Sequence, residues 1–418
     1  MKKLTIILLL TITLSSILYQ NSSAQWVRRN GISATLYVNS VTYGPSPWSW
    51  AGTDSGIYRS NDGDNYTRVS PTNLRVSSLI QSGINVCAGV FPEGGIWLST
   101  DNGLTWNFKY SGLTVYSLAA SGNNIFAGVG DLGSLNGVWK STNNGQNWTH
   151  ITTLNNSSVH SLVINGNTIF AGVSSYDYSV YLSTNNGLNW ILDSAGIVDR
   201  SVYSLAFSGN TIYAGTVTLT TPRGIYRQTN YGSNWTQTTL NNQNVHSLAI
   251  SGNNIFAGTD SGFYVSNNNG STWTKKNEGF PNNTVVLSIY VYNNYSIFVG
   301  TNRGEFARLY GEVCTQPISE QVPENYALEQ NYPNPFNPST KIKYQIAKSS
   351  DVHLIIYDIL GKEVSALVNE KLSAGTYEAE WNGAIYPSGV YFYKLVASDP
   401  ETSSGLNFTE TKKLILLK

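Results

Sequence analysis

The chain has 418 residues, with 25 basic and 25 acidic side chains and a formal charge of +0, so it lacks the basic field that holds nucleic acid. Hydrophobic residues make up 41 % and charged ones only 12 %, with 27 Tyr, 11 Trp and 38 Gly, a balance that excludes intrinsic disorder. Met occurs once, and helix formers such as Ala, Lys and Glu are scarce, which points to an all-β protein.

Lys2 and Lys3 precede an apolar stretch from Leu4 to Leu18, followed by Ser22-Ser23-Ala24. A short basic region, an apolar core and small residues at the −3 and −1 positions predict a secretory signal peptide over 1–24, cut after Ala24. The apolar run falls short of the roughly 20 residues of a spanning helix, and no later segment reaches that length, so no transmembrane segment is expected in the mature chain. Cys87 falls where sister repeats carry Phe126, Phe170 and Phe256, the place of a small core residue. Cys314 lies in a connecting segment, and neither cysteine has metal-site spacing.

Residues 25–311 repeat one unit. An Ala-Gly pair recurs at Ala51, Ala88, Ala127, Ala171, Ala214 and Ala257, with Val299-Gly300 in the seventh place, in steps of 37, 39, 44, 43, 43 and 42. Upstream of each lies a Ser followed by an apolar residue, at Ser40, Ser78, Ser117, Ser161, Ser204, Ser247 and Ser288. Downstream comes an apolar-aromatic pair such as Val138-Trp139, then a turn such as Ser99-Thr-Asp-Asn-Gly-Leu-Thr-Trp106. Each unit reads as four short strands separated by Gly- and Asn-rich turns, the size of a propeller blade. The seventh unit stops after Gly304-Glu305-Phe306, and Gln25-Trp26-Val27-Arg28-Arg29-Asn30-Gly31 resembles its missing last strand. A seven-bladed β-propeller closed by its N-terminal strand is therefore expected, with no open sheet edge.

The turns resemble the Asp-box of the BNR repeat family, Ser-x-Asp-x-Gly-x-Thr-Trp, found in sialidases, sortilin-type receptors and other propellers. The box runs through Ser99, Asp101, Gly103 and Trp106, with Asn143 and Trp148, Asn185 and Trp190, Asn230 and Trp235, and Asn268 and Trp273 in the later copies; Asp62 marks a shortened first copy. A Ser hydroxyl and an Asx oxygen can bond backbone N–H groups of a tight hairpin, Gly supplies φ > 0, and Trp closes the gap to the next sheet. Asn keeps the acceptor oxygen but cannot carry a proton in catalysis or full charge to a cation, so the box is read as scaffold.

From Glu312 to about Glu324 the chain turns polar, with Pro317 and Pro323, a linker over 312–325 by composition, and arginine is absent after Arg308. Alternating stretches at 342–346, 352–357, 376–381, 390–396 and 412–417 predict a small Ig-like β-sandwich over 326–418. Asn331-Tyr332-Pro333-Asn334-Pro335-Phe336-Asn337-Pro338, Ile356-Tyr-Asp-Ile-Leu-Gly-Lys-Glu-Val364, Gly389-Val-Tyr391 and Lys412-Lys413-Leu414 resemble the type A C-terminal sorting domain of the type IX secretion system. That resemblance implies a bacterium of the Bacteroidota or a neighbouring group, transfer across the outer membrane, recognition by the secretion machinery and removal of the tail by a sortase-like peptidase. The secreted product is then extracellular or attached to the cell surface.

Little in the sequence points to catalytic chemistry. The Arg-Ile-Pro segment of sialidases is absent, and Asp54, Asp131, Asp177 and Asp260 are carboxylates that no motif places. Gly128-Val-Gly-Asp-Leu-Gly133 matches a dinucleotide fingerprint but leads into another strand instead of a helix, so it reads as a loop. No His, Cys and carboxylate set has metal spacing, and no cofactor is expected. Topology gives the best site. Loops between second and third strands lengthen in units three to five, at 130–136, 174–179 and 216–223, on the face where first strands begin. The residue before each repeat's Ser is Asn39, Ser77, Tyr116, His160, Tyr203, His246 and Leu287. Tyr116, His160, Tyr203 and His246, with Asp131, Tyr176, Asp177 and Arg223 from the long loops, are the candidate contacts for a glycan or protein ligand. The expected function is a non-catalytic binding or adhesion propeller. The rivals are a secreted glycan hydrolase of the sialidase or xyloglucanase kind and, more weakly, a propeller like the assembly factors that escort membrane complexes.

Overall fold

The computed structural model describes residues 25–417 apart from 45–47, 93, 132, 155–156, 175–178, 198–200, 219, 294, 314–322, 349, 373, 385 and 399–406. The expected signal peptide, Cys314, Tyr176 and Asp177 lie outside the described residues. The chain divides into two compact units, Gln25–Tyr310 and Gly311–Lys418.

The first unit holds seven four-stranded antiparallel sheets among the described residues. Sheet 1 is typical, running from Val38–Tyr43 through Ser49–Thr53 and Gly56–Ser60 to Thr67–Arg68. In the seventh sheet Val286–Tyr292, Ser296–Thr301 and Gly304–Leu309 are joined by the N-terminal strand Val27–Arg28, with Val27 opposite Ala307 and Arg28 opposite Phe306. Trp26 secures this entry: its backbone N–H donates to Glu278 O at 2.7 Å, its indole to Lys276 O at 2.6 Å, and its ring stacks on Phe280 at 4.9 Å.

The Ala-Gly repeat has a steric cause. In every second strand the Gly pairs with the repeat's Ser, as Gly52 with Ser40 and Gly300 with Ser288. A Cβ on Gly52 would lie 2.6 Å from Val76 Cγ1, on Gly89 2.5 Å from Val115 Cγ1, and on Gly215 2.7 Å from Val245 Cγ1, each in the next sheet. Gly300 meets Val38 of sheet 1 in the same manner, 2.3 Å from its carbonyl oxygen. Each first strand lies against the first strand of the following sheet, and Val286–Tyr292 lies against Val38–Tyr43. Sheets pressed this closely leave no room for any side chain but hydrogen, which is why the packing is written into the sequence as a repeat.

The box turns form as local hydrogen-bond cages. Ser99 Oγ donates to Asp101 Oδ1 at 2.8 Å and accepts the Gly103 N–H at 2.7 Å, while Asp101 Oδ1 accepts the Thr105 N–H at 2.9 Å. Asn143, Asn185 and Asn268 accept the corresponding N–H groups of Asn147, Asn189 and Thr272, each at 2.9 Å. The fifth turn departs from the expected pattern. Gln228 replaces the Ser, donating to Ser233 O at 2.6 Å and Asp193 Oδ1 at 2.8 Å. Asn230 there takes the left-handed backbone itself, at φ 68°, where Asn102, Asn144, Asn186 and Asn269 take it one position later. A second correction concerns the tryptophans: Trp106 meets Trp50 at 6.3 Å, and Trp148, Trp190, Trp235 and Trp273 likewise pack into clusters with the sheet before their own, not the next one. The side chain rises from the start of an outer strand, and in this winding the gap on that side belongs to the earlier sheet.

One buried position breaks the repeat. Ile57, Ile96, Val138, Val180, Ile225 and Phe263 each occupy the inner start of a third strand with no exposure, and the seventh sheet places Glu305 there, also at 0 %. Tyr66 donates to Glu305 Oε1 at 3.0 Å, Oε2 has no partner, and burial pushes the carboxyl up to about 8. Cys87 is buried, as the repeat alignment anticipates, and is a free thiol.

The second unit is a two-sheet sandwich. Ala327–Leu328, Ser339–Ile346 and Gly375–Asn382 form one sheet; Glu363–Leu372, Ser350–Tyr357, Gly389–Ser398 and Asn407–Leu416 form the other. Ile342, Tyr344 and Trp381 of the first sheet share one core with Leu354, Tyr393 and Leu414 of the second. Two of these strands were not anticipated. Glu363–Leu372 contains Ala, Asn, Glu and Lys, which are poor strand formers, and Ala327–Leu328 is too short to show a period. No helix among the described residues is long and apolar enough to cross a membrane.

Candidate ligand site on the first-strand rim

The candidate site rests on a backbone irregularity that recurs seven times. The pairing of first and second strands slips between Val38 and Ser40, Val76 and Ser78, Val115 and Ser117, and Val159 and Ser161. It slips again between Val202 and Ser204, Val245 and Ser247, and Val286 and Ser288. The extra residue is Asn39, Ser77, Tyr116, His160, Tyr203, His246 or Leu287. A bulge leaves one residue unpaired and re-aims its side chain, so all seven occupy equivalent, half-buried places at the start of the inner strands.

What fills those places differs around the molecule. Asn39 and Ser77 are spent on the scaffold: Asn39 donates to Val76 O at 3.0 Å, and Ser77 Oγ donates to Gly89 O at 3.0 Å and is also bonded to Val115 O. Tyr116, His160 and Tyr203 instead stack on one another, with ring centroids 4.1 and 4.4 Å apart and planes 32° and 24° from parallel. Phe91 extends the row beyond Tyr116 at 5.6 Å, and the Arg75 guanidinium lies 4.7 Å over Phe91. The sequence held no signal for these last two, because neither occupies the bulge position; Arg75 precedes its strand, and Phe91 begins a turn.

Asp131 governs the polar edge of the row. It sits at φ 63°, a left-handed backbone rare for a side-chain-bearing residue, held by the Ser158 hydroxyl, which accepts the Asp131 N–H at 3.2 Å. Its Oδ2 accepts the Tyr116 hydroxyl. Burial, then the Asp131 carboxylate, raise the Tyr116 and Tyr203 phenols, and burial holds His160 down at about 4, partly offset by Asp131. At neutral pH the row therefore presents protonated phenols and an uncharged imidazole.

His246 belongs to a separate cluster. Its Nε2 lies 2.6 Å from Asp260 Oδ1, Asn244 donates to Asp260 Oδ2 at 2.9 Å, and Asn244 Oδ1 accepts the Thr218 N–H at 2.9 Å. This ties the long loop of sheet 5 to the short turn of sheet 6. Arg223 is exposed, and its carbonyl accepts from Gln237 at 2.5 Å. A groove of about 500 Å³ lies elsewhere, along Thr149–Ile151 and Asn186–Leu188. Two of its polar side chains are engaged with the backbone, Lys140 with Asn186 O at 3.1 Å and His150 with Asn136 O at 3.0 Å. Among the described residues no group of three His, Cys, Asp or Glu could hold a metal ion.

Comparison with known proteins bears on both units. Residues 330–415 match the family model of the secretion system C-terminal sorting domain. No curated protein matches the chain. Among solved structures, YCF48 from Cyanidioschyzon merolae is 14 % identical with a TM-score of 0.56, covering 70 % of this chain and 100 % of that one. A YCF48 bound to D1 peptide is 12 % identical with a TM-score of 0.54, covering 68 % and 96 %. The GH74 xyloglucanase from Xanthomonas campestris is 15 % identical with a TM-score of 0.56, covering 84 % of this chain and 63 % of its own. Identities this low show the fold alone. The protein is an all-β chain with a β-propeller followed by a type IX secretion sorting domain, which directs it to the cell surface or the extracellular space.

Proposed function

We propose that this is a non-catalytic secreted propeller that binds a polypeptide segment at the first-strand rim. The reading includes a leader removed after Ala24, a closed ring of seven blades, box turns of the BNR type acting as scaffold, and a source in the Bacteroidota or a neighbouring group. Removal of the tail by a sortase-like peptidase completes it.

The stacking of Tyr116, His160 and Tyr203 carries the proposal. A sugar platform needs a ring face free for the sugar, and here the faces within the row are used by neighbouring rings. What remains are edges: phenol oxygens, imidazole nitrogens and the Asp131 carboxylate. These suit backbone amides and a Lys or Arg side chain. A hydrolase would need an acid and a base poised near neutral pH, and His160 at about 4 is a weak base. The D1-peptide complex of a YCF48, a protein with the same fold, agrees with peptide recognition.

The test is a paired peptide and glycan array probed with the chain lacking residues 1–24, followed by titration of the strongest hits. Tyr116→Phe combined with Asp131→Asn removes a hydrogen bond to a charged group and is expected to weaken binding about 10- to 100-fold. Glycan-only binding, or release of sugars from xyloglucan, would replace this reading with the hydrolase one.

A further inference from the structure

Within the sorting domain, the four large apolar side chains that stand most exposed among the described residues are Tyr332 at 81 %, Ile359 at 69 %, Leu360 at 87 % and Leu417 at 53 %. All four lie at one end of the sandwich. Ile359 and Leu360 follow Tyr357, which pairs with Phe392; Gly389 of that same strand pairs with Leu416, next to Leu417. Phe336 bridges to Leu416, and Tyr332 exchanges hydrogen bonds of 2.9 and 3.0 Å with Lys341, near the start of Ser339–Ile346.

The chain enters the domain at the opposite end. There the Tyr326 hydroxyl lies 2.9 Å from Ser350 Oγ, and its ring stacks on Phe408 at 5.5 Å. The apolar end is therefore the one remote from Tyr326.

Its tip is built rigidly. Asp358 Oδ1 accepts the N–H groups of Leu360 and Lys362, both at 2.9 Å, Asp358 and Lys362 close the hairpin at 2.9 Å, and Gly361 takes φ 78°. Turns ordinarily carry polar residues, and two adjacent large apolar ones on a pre-organised tip would cost solubility without a compensating contact.

We infer that this end, led by Ile359 and Leu360 with Leu417 and Tyr332 beside them, is the surface by which the domain docks into an apolar cleft of the secretion machinery. The inference rests on the sorting role of the domain and adds the surface that performs it. The four side chains expose roughly 600 Å². That is below the roughly 800 Å² per partner of a stable self-association and within the range of a transient grip, as a cargo handed from one component to the next requires.

The experiment is export of the full chain in a host carrying the type IX machinery, with secreted and periplasmic fractions measured separately. Ile359→Ser with Leu360→Ser is expected to lower secretion at least tenfold and leave the chain in the periplasm, at an unchanged melting temperature of the purified full chain. Ile359→Val with Leu360→Met restores secretion, and Asp351→Ser at the other end leaves it normal. A photo-crosslinker at 360 gives an adduct with an envelope protein in the wild-type background. Normal secretion of the Ser variant, or a 360 adduct of twice the chain's own mass, overturns the inference. Deletion of 326–418 is the separating control: if it alone leaves export intact, the sorting role itself has failed.

Discussion

Replacing Glu305 by Gln isolates the buried carboxyl in the seventh sheet. Glu305 has no exposure and faces Tyr66, whose hydroxyl donates to it at 3.0 Å; Tyr43 lies 3.5 Å behind Tyr66. Arg29 is the near cation, but its Nη1 is committed to Asp64 at 3.2 Å. Burial outweighs both the Tyr66 bond and the Arg29 charge and raises the carboxyl from 4.5 to about 8. The folded protein thus holds a proton that the unfolded chain releases above 4.5, so stability is fully present below that pH and falls as pH rises toward 8. The gap between 4.5 and about 8, at about 1.4 kcal/mol per pH unit, gives about 5 kcal/mol. Gln keeps an acceptor for Tyr66 and does not titrate. Guanidinium unfolding of wild type and Glu305→Gln at pH 4, 7 and 9 tests this: the variant should gain on wild type by about 3 kcal/mol at pH 7 and about 5 at pH 9, relative to pH 4. A difference between the two proteins that stays constant from pH 4 to 9 would refute the reasoning.

Other positions respond to different forces. Gly300→Ala places a Cβ 2.3 Å from Val38 O and 2.4 Å from Ser288 Oγ, and is expected to cost about 2–4 kcal/mol, read as a fall in melting temperature; Gly209→Ala, with nothing within 4 Å, is the mild control at about 1 kcal/mol. Ser183→Ala removes bonds to Asn185 Oδ1 at 3.0 Å and from the Gly187 N–H at 2.9 Å, and should cost about 1–3 kcal/mol in denaturant unfolding. Asp101→Asn recreates the amide that Asn143, Asn185 and Asn268 already supply, so its melting curve should overlie wild type within about 0.5 kcal/mol.

Much of the architecture was legible because one contact rule recurs. A Ser and an Ala-Gly, Val-Gly in the seventh unit, mark each sheet in the sequence, and the structure supplies the reason: the Gly must admit the Val of the next sheet. The sorting domain was legible through its motifs, with its strands longer than the alternation suggests. The bulge was not, because an unpaired residue leaves no trace until the partner strand is known; the sequence yielded the seven bulge positions without their reason. Nor could spacing show that Tyr116, His160 and Tyr203 face one another, which changes them from a platform into a row of edges. Glu305 drew no notice in the sequence, because only the burial of its counterparts in the other third strands gives its charge a meaning. Asn230 fitted the box by count but not by backbone, because Gln228 brings an amide where the others bring a hydroxyl.

The repeated bulge also bears on how such a protein changes. The bulge residue on each inner strand is excused from the ladder, so its identity can change while the close Gly-to-Val packing between sheets stays the same. Asn, Ser, Tyr, His and Leu already occupy that slot in this one chain. The rim is thereby an interchangeable keyway: seven single-codon sites, equivalent in backbone and varied in chemistry, through which one scaffold can be refitted to new ligands.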